Sequence, residues 1–331
     1  MKVFFSVNHP IIDESLTRFV ALYETTYPHR ILAYYLQGSH TDGSAVVTSD
    51  IDMVIVAQTG TLPSPTLWSE RYPNTLVSFD VSVYDASELS QGIAPTLKLA
   101  GKLLFGTDIC QRYPLLSIAQ WTHDRMHAAY WLMNAVYTRP KPVLLSAPYP
   151  NPKDEFYGYV NRWVVLPDGQ QALSARNIMR TLGWVATALL AWKTGQYVAR
   201  KQDCVRLYRA WGDAPTGATM LEYLFDVVRG QWNYLIPEPP EARLQLRAFC
   251  AQVREWEQIF LLQYRTYLLN ELADAHLPFI RHALWVQRQW PLVDEQVQES
   301  VEIAARRLDD LRQGAADFTD EAVNISRTED S

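Results

Sequence analysis

The sequence has few cysteines and no long apolar run. Its three cysteines are far apart and include no C-x-x-C pair, so they suggest neither a zinc site nor a disulfide framework. No window approaches the roughly 18 apolar residues of a membrane span. The beginning of the sequence, MKVFFSVNHPIIDES, lacks the apolar core and the cleavage site of a signal peptide. These absences predict a cytoplasmic protein with reduced thiols and no membrane partner.

Positive charge is also in short supply. The chain has 30 Lys and Arg against 36 Asp and Glu, which gives a formal net charge of -6 and a pI near 5.7. This balance argues against a dedicated nucleic-acid binder and is compatible with a cationic small substrate. The 331 residues, 48% hydrophobic and 20% charged, are typical of a globular protein with two domains of ordinary size.

The most informative stretch is Leu36 to Val56, which reads LQGSHTDGSAVVTSDIDMVIV. A predicted apolar strand, Ile31 to Leu36, runs into the small pair Gly38 and Ser39. Such a pair lets the backbone approach a ligand closely and turn into a helix start, where N–H groups point at a phosphate. The sequence therefore predicts a phosphate-binding turn after this strand.

Three aspartates follow at a spacing that brings them together. Asp50 and Asp52 open a second apolar run, and because strand side chains alternate, they share one face. A later predicted strand, LVSFDVSVY, carries Asp80 among apolar and small residues. Three carboxylates on adjacent strands repel one another, so their natural partner is a hard divalent cation, and Mg²⁺ fits best. The alternative is a pair of surface strands with solvated aspartates.

Nucleotidyl transfer needs such a set of groups. The cations neutralise the triphosphate, while a carboxylate takes the proton from the incoming hydroxyl. The pattern of Gly38-Ser39, Asp50-Ile51-Asp52 and Asp80 resembles the DNA polymerase β-like nucleotidyltransferase superfamily. Within it, GSHTDGSAVVTSDIDMVIV is most similar to the aminoglycoside adenylyltransferases, which act on streptomycin or spectinomycin.

The resemblance implies ATP as the nucleotide donor, Mg²⁺ as the cofactor, a small-molecule hydroxyl as the acceptor and a link to antibiotic resistance. In these terms Asp50 and Asp52 bind the metals, and Asp80 serves as a third metal ligand or as the base. Gly38 and Ser39 hold the outer phosphates.

The order of predicted elements indicates an α+β fold. Residues 1–112 read as helix, strand, helix start, strand, helix and strand, which predicts a small mixed-sheet catalytic domain. The stretch Ala86 to Leu104 is predicted to be helical, with Lys98 or Lys102 as a cation that reaches the triphosphate or as part of a solvated face.

Helical patterns dominate the rest of the chain. Residues 113–313 are predicted to form an all-helical domain that frames the acceptor and clamps the nucleotide. Residues 314–331 are polar and acidic without periodicity, which predicts a disordered tail. The predicted helices are Leu116 to Tyr137, Ser174 to Lys193, Lys201 to Trp211, Thr219 to Trp232, Glu241 to Ala275 and Val293 to Leu311.

A second motif lies in SARNIMRTLGWVATALLAWKTGQYVARK, Ser174 to Lys201. Arg176 is in the first turn of the predicted helix, where a cation is unfavourable for the helix dipole unless an anion binds there. The segment resembles the helical domain of the same adenylyltransferases, which have Arg-Asn at a helix start and a Thr-Gly turn followed by lysine. The resemblance implies that Arg176 and Lys201 reach across the cleft to the ATP phosphates; solvated charges are the alternative.

Two departures from the family concern the acceptor. The family typically has glutamate where Asp80 stands, and the residues before its Arg-Asn are acidic, whereas here they are QQALS. A polycationic acceptor needs acidic contacts, and Asp213, Glu222 and Asp226 are candidates for them. Two other functions stay open: nucleotidyl transfer to a protein or an RNA 3′ end, as in toxin-antitoxin systems, and a non-catalytic nucleotide-binding module.

Overall fold

The computed structural model describes residues 3–73, 75, 77–212 and 215–310. The chain forms two compact units: the first comprises Met1–Arg125 and Tyr159–Phe249, and the second comprises Met126–Gly158 and Cys250–Ser331. The predicted α+β class is confirmed, with a mixed sheet in the N-terminal part and helices in the C-terminal part. The division into functional domains at residues 112 and 113 stays a prediction. The predicted tail, 314–331, lies outside the described residues.

The described elements follow one another along the chain, with short 3-10 turns at Gly38–Thr41 and Glu88–Gln91 and a π-helical turn at Leu224–Arg229. In chain order they are α1 (Pro10–Thr26), β1 (Ile31–Gln37), β2 (Ile51–Ala57), α2 (Leu67–Arg71), β3 (Phe79–Asp85), α3 (Pro95–Ala100), β4 (Lys102–Gly106), α4 (Ile118–Val136), β5 (Val143–Leu144), β6 (Arg162–Val165), β7 (Gln171–Ser174), α5 (Arg176–Thr194), α6 (Asp203–Trp211), α7 (Pro215–Tyr223), α8 (Pro240–Asp274), α9 (Leu277–Gln289) and β8 (Leu292–Val293); residues 295–310 are also helical.

The first unit is built on a four-stranded sheet with the strand order β3-β2-β1-β4. β1 pairs antiparallel with β2 and with β4, whereas β2 and β3 run parallel, so the carboxylate-bearing starts of β2 and β3 lie at the same sheet edge. Successive side chains of β1 and β2 point to opposite faces of the sheet. On each face they are part of a cluster of buried apolar residues.

On one face the apolar stripe of α1 forms the core. Leu16, Phe19, Val20 and Tyr23 are fully buried, and Phe19 stacks on Phe79 of β3 with ring centroids 4.6 Å apart. Because these residues recur at helical spacing, α1 presents one continuous apolar face to the sheet. This packing fixes the sheet whose edge carries the aspartates.

The predicted helix over Ala86 to Leu104 is wrong. The segment instead forms a 3-10 turn, the short helix α3 and the strand β4. Gly92 interrupts it with φ +126°, and a Cβ there would lie 2.7 Å from the backbone nitrogen of Leu116. Pro95, at the start of α3, lacks an N–H to continue an earlier helix. Gly101 then has extended backbone, φ -66° and ψ 150°, and leads into β4.

The later part of the first unit is mainly helical. A hairpin of β6 and β7, which the helical prediction did not include, runs directly into α5. α5 is buried along most of its length and ends at Gly195, whose left-handed backbone has φ 66°. Lys201 lies in the turn before α6, two residues short of the helix that it was predicted to begin.

The second unit has a buried polar interior of its own. The imidazole of His127 hydrogen-bonds the Tyr264 hydroxyl at 2.9 Å and the Glu271 carboxylate at 2.6 Å. Arg139 forms a buried ion pair with Glu257. Helix α9 was not predicted, although Pro278 at its start is a residue that suits the first turn of a helix.

Candidate active site

The three predicted carboxylates converge at the edge of the sheet where β2 and β3 begin. Asp52 and Asp80 are register partners of the parallel β2–β3 pair, and Asp50 immediately precedes β2. One oxygen from each of the three lies within 4.8 Å of the others. Hard carboxylate oxygens at such mutual distances form a donor set that can hold a metal ion. These residues therefore fit the cation that the resemblance implies.

The predicted turn lies beside this cluster. Gly38 follows β1 with φ +68°, and a Cβ at this position would lie 1.9 Å from Oδ2 of Asp52. Only glycine leaves room for the carboxylate here and adopts this left-handed backbone without strain. Ser39 lies in the 3-10 turn that begins at Gly38 and lines the same cleft.

Arg176, the first residue of α5, reaches the acidic cluster. Its guanidinium forms an ion pair with Asp50 Oδ1 and donates to the backbone carbonyl of Thr48 at 2.5 Å. Arg162 of β6 pairs with the other oxygen of Asp50, with 3.6 Å between a guanidinium nitrogen of Arg162 and Oδ2 of Asp50. Asp50 is 9% exposed, so its carboxylate is neutralised by arginine in a largely desolvated position.

Lys201 also faces the cluster. The residue is exposed to solvent in the cleft, yet the surrounding protein desolvates the ammonium group and lowers its pKa. The negative charge of Asp52 acts in the opposite direction and raises that pKa. Its stem passes Gly183 of α5, where a Cβ would lie 3.2 Å from Lys201 Cδ. A glycine inside α5 thus leaves space for the lysine to reach the cleft.

The loop that leads into Asp50 is held by the later part of the first unit. Thr48 donates its hydroxyl to the carbonyl of Asn233 at 2.9 Å. The guanidinium of Arg229 donates to the backbone carbonyl and, at 3.0 Å, to the hydroxyl of Ser44. Gln202 donates to Asp42 at 3.1 Å. These bonds connect segments that are far apart in sequence and position the aspartate.

A cleft of about 360 Å³ opens over these residues. All seven predicted site residues lie in the first unit and all line this cleft: Gly38, Ser39, Asp50, Asp52, Asp80, Arg176 and Lys201. Lys98 does not line it; its ammonium group instead donates to the carbonyls of Cys110 and Tyr113, each at 2.5 Å. Lys102 is exposed on β4 and is not a lining residue either.

Sequence reasoning did not single out several lining residues. On α5, Arg180 and Trp184 follow Arg176 at spacings of four, so all three lie on one face of the helix, and that spacing was visible in the sequence. Trp121 and Arg125 of α4 also line the cleft and are again four apart. Two of the acidic candidates do not line the cleft: Glu222 pairs with Arg209, and Asp226 is not among the lining residues. The third, Asp213, lies outside the described residues.

The environment of Asp52 raises its pKa. Burial is the main cause, and the negative charges of Asp50 and Asp80 add to it, while Lys201 and Arg176 oppose it. The result is a pKa of about 7 against an ordinary 3.8. The folded chain without metal therefore keeps a proton on Asp52 over a range of pH in which the unfolded chain has lost it.

This shift predicts how pH changes the effect of Mg²⁺. As pH rises from about 4 to about 7, Asp52 lowers the unfolding free energy of the metal-free protein, because the folded state binds the extra proton. A cation that replaces this proton stabilises the fold more at high pH. We expect Mg²⁺ to raise the melting temperature by more at pH 8 than at pH 6. Asp52→Asn is the control, since it removes this difference; an equal effect of Mg²⁺ at both pH values in the wild type contradicts the assignment.

The sequence matches no protein-family model and has no significant match among curated proteins. Among solved structures, the chain is similar to the spectinomycin adenyltransferase AAD(9) from Enterococcus faecialis, solved with ATP and spectinomycin. The two share 10% identity with a TM-score of 0.46, over 74% of this chain and 98% of that chain. What the cleft can do follows from its own side chains.

Within residues 3–73, 75, 77–212 and 215–310, every helix is too short or too polar to cross a membrane.

Proposed function

We propose that the protein is a nucleotidyltransferase that transfers AMP from ATP to a hydroxyl of a small molecule and releases pyrophosphate. The observation that carries this proposal is the convergence of the Asp50, Asp52 and Asp80 carboxylates beside the turn at Gly38, with Arg176 and Lys201 facing them. Carboxylates that hold a divalent cation and cations that hold phosphates are the two requirements of this reaction.

Each residue has a role in this proposal. Asp50 and Asp52 bind Mg²⁺, which when bound neutralises charge on the triphosphate. Asp80, exposed at the start of β3, is a third ligand or takes the proton of the acceptor hydroxyl. The acceptor oxygen bonds to the α-phosphorus while the bond from that phosphorus to the oxygen bridging to the β-phosphate breaks, and pyrophosphate leaves with the electron pair.

The phosphates are held from two sides. In this proposal the N–H groups of the turn at Gly38 and Ser39 donate to the outer phosphates, as backbone donors at such turns can. Arg176 and Lys201, which belong to the predicted helical domain, residues 113–313, supply positive charge, while the turn belongs to the predicted catalytic domain, residues 1–112. Guanidinium and ammonium groups neutralise the charge that moves onto the leaving pyrophosphate.

The test is pyrophosphate release from ATP with Mg²⁺ over a panel of acceptors. The panel contains streptomycin, spectinomycin, kanamycin, a lincosamide, bulk tRNA and small hydroxylated anions. We expect release with a small molecule and none after chelation of Mg²⁺. Release with tRNA alone favours transfer to RNA, and ATP binding without release under any condition favours the non-catalytic module. The aminoglycoside-like acceptor implied by the resemblance stays a prediction, which the first three compounds test.

A further inference from the structure

At one end of the cleft, an arginine lies between two tryptophans. The guanidinium carbon of Arg125 is 4.4 Å from the ring centroid of Trp121 and 4.2 Å from that of Trp184. The guanidinium thus packs against two indole rings, and its N–H groups are the part that can bind a polar ligand. These N–H groups point in the plane of the guanidinium, which is the geometry that binds a carboxylate or a phosphate.

The donors at this end of the cleft lack acceptors. Nε of Arg125 and Nε1 of Trp121 are both buried without a hydrogen-bond partner among the described residues. Trp121 is only 1% exposed, so solvent does not readily satisfy its N–H. Burial also lowers the pKa of Arg125, which Asp124 and Tyr84 only partly offset. Buried donors without acceptors are costly, and a bound anion removes that cost.

This end of the cleft is separate from the acidic cluster. Arg125 lies near Tyr84, four residues along β3 from Asp80, which corresponds to about 13 Å of strand. Trp184 is eight residues along α5 from Arg176, or about 12 Å of helix. The turn at Gly38 follows β1, two strands away from β3. The phosphate-binding groups and Arg125 are therefore at different places in the cleft.

The cleft as a whole has more basic than acidic side chains. Its acidic lining residues are Asp42, Asp50, Asp52 and Asp80; its basic lining residues are Arg125, Arg176, Arg180, Arg200, Lys201 and Arg229. Beyond the acidic cluster, Asp42 is held by Gln202 and lies 3.7 Å from Arg200. A polycation would find few free carboxylates among these residues, whereas an anion would find Arg125.

We propose that Arg125 and Trp121 bind an anionic group of the acceptor, a carboxylate or a phosphate, so that the acceptor is a hydroxylated small anion. This proposal rests on the proposed nucleotidyl transfer, because the bound anion is an acceptor only in that reaction. It differs from the aminoglycoside-like acceptor that the resemblance implies. The indole rings hold the guanidinium plane, and the anion accepts from the Arg125 edge and from Trp121 Nε1. The acceptor hydroxyl then extends along β3 toward Asp80.

The experiment compares one scaffold in four charge states: glucose, glucosamine, glucuronate and glucose 6-phosphate. Binding to the full chain is measured by calorimetry without ATP, and pyrophosphate release is measured with ATP and Mg²⁺. We expect glucuronate or glucose 6-phosphate to bind at least about 10-fold more tightly than glucose and glucosamine, since a charge-assisted hydrogen bond is worth that much. Equal binding of all four compounds overturns the proposal.

Variants locate the bound anion. Arg125→Met should weaken anion binding by about 10- to 100-fold, and Trp121→Phe, which keeps a ring but removes the donor, should weaken it by about 3- to 10-fold. Arg125→Lys keeps the charge and should retain part of the affinity if Arg125→Met does not fold. Arg18→Met is the control, because Arg18 is an exposed arginine on α1 whose side chain is 63% accessible. Equal loss in Arg18→Met, or no loss in Arg125→Met and Trp121→Phe, overturns the proposal.

The two proposals fail in different ways. If the anion binds through Arg125 but no pyrophosphate is released with any compound, the anion site stands and the transferase proposal fails. If pyrophosphate is released with neutral or cationic compounds and Arg125→Met leaves their KM unchanged, the transferase stands and the anion site fails.

Discussion

Asp52→Asn is expected to reduce pyrophosphate release by about 10³-fold or more, because removing a ligand of a catalytic cation removes several kcal/mol of transition-state stabilisation. Asp52 is the register partner of Asp80, and its carboxylate lies against the backbone of Gly38, where a side chain would otherwise be. The measurement is the initial rate of release at saturating ATP and Mg²⁺, with wild type and variant at equal concentration.

The same substitution is not expected to destabilise the metal-free protein. Burial and the charges of Asp50 and Asp80 make ionised Asp52 unfavourable in the folded state, so a neutral side chain of the same shape relieves that cost. We expect a melting temperature at pH 8 without metal that is equal to or above that of the wild type. Loss of activity together with retained stability separates a role in chemistry from a role in folding.

Asp85→Asn is the matched control for this prediction. Asp85 ends β3, the strand that pairs with the strand of Asp52, and accepts hydrogen bonds from Gly60 and Ser87, but it lies outside the cluster of ligating carboxylates. We expect Asp85→Asn to keep a rate within about threefold of wild type, as surface substitutions away from special features usually change little. If Asp52→Asn retains the wild-type rate, the assignment of Asp52 as a metal ligand is wrong.

Gly38→Ala is expected to have the second largest effect, a loss of about 10²-fold in rate. The added Cβ would lie 1.9 Å from Oδ2 of Asp52, so either the turn or the carboxylate must move. A displacement of about 1 Å at a reacting site costs on the order of 10²-fold. The backbone at φ +68° adds a conformational cost of about 1 to 2 kcal/mol for alanine.

Gly195→Ala separates these two effects. Gly195 has φ +66°, nearly the same as Gly38, but a Cβ there would meet no atom within 4 Å. It ends α5 and does not line the cleft. We expect Gly195→Ala to lower the melting temperature, because alanine is strained in a left-handed backbone. The rate of pyrophosphate release per folded molecule should be unchanged. If both variants lose the same amount of activity, the close approach of Gly38 to Asp52 has no catalytic importance.

The sequence predicts those parts of the site that depend on local geometry. The alternation of a strand is enough to put Asp50 and Asp52 on one face, and a glycine after an apolar strand is enough to predict a turn. The parallel β2–β3 pair then brings Asp80 alongside, as the repeated strand pattern indicated. The contact of Arg176 with Asp50 joins two distant segments. The helix-dipole argument indicated only an anion beside Arg176, and the family resemblance implied the ATP phosphates, so neither predicted this contact.

Other features depend on tertiary contacts that no local pattern contains. Trp121 and Arg125 are visible as a pair on one helix face, but the second ring on Arg125, Trp184, comes from α5. The wrong helix over Ala86 to Leu104 has a similar origin. Apolar spacing favoured a helix, whereas Gly92 must adopt a positive φ because the Leu116 backbone passes close to it.

The ion pair of Asp50 and Arg176 has a consequence for the order in which ligands enter. Both partners are already charge-balanced in the free protein. A divalent cation that arrives alone must compete with the guanidinium for Asp50, and a phosphate that arrives alone must draw Arg176 away from its carboxylate. A ligand that carries both signs exchanges both partners in one event. For the proposed reaction we therefore expect a preassembled complex of cation and nucleotide to bind more readily than either ligand alone.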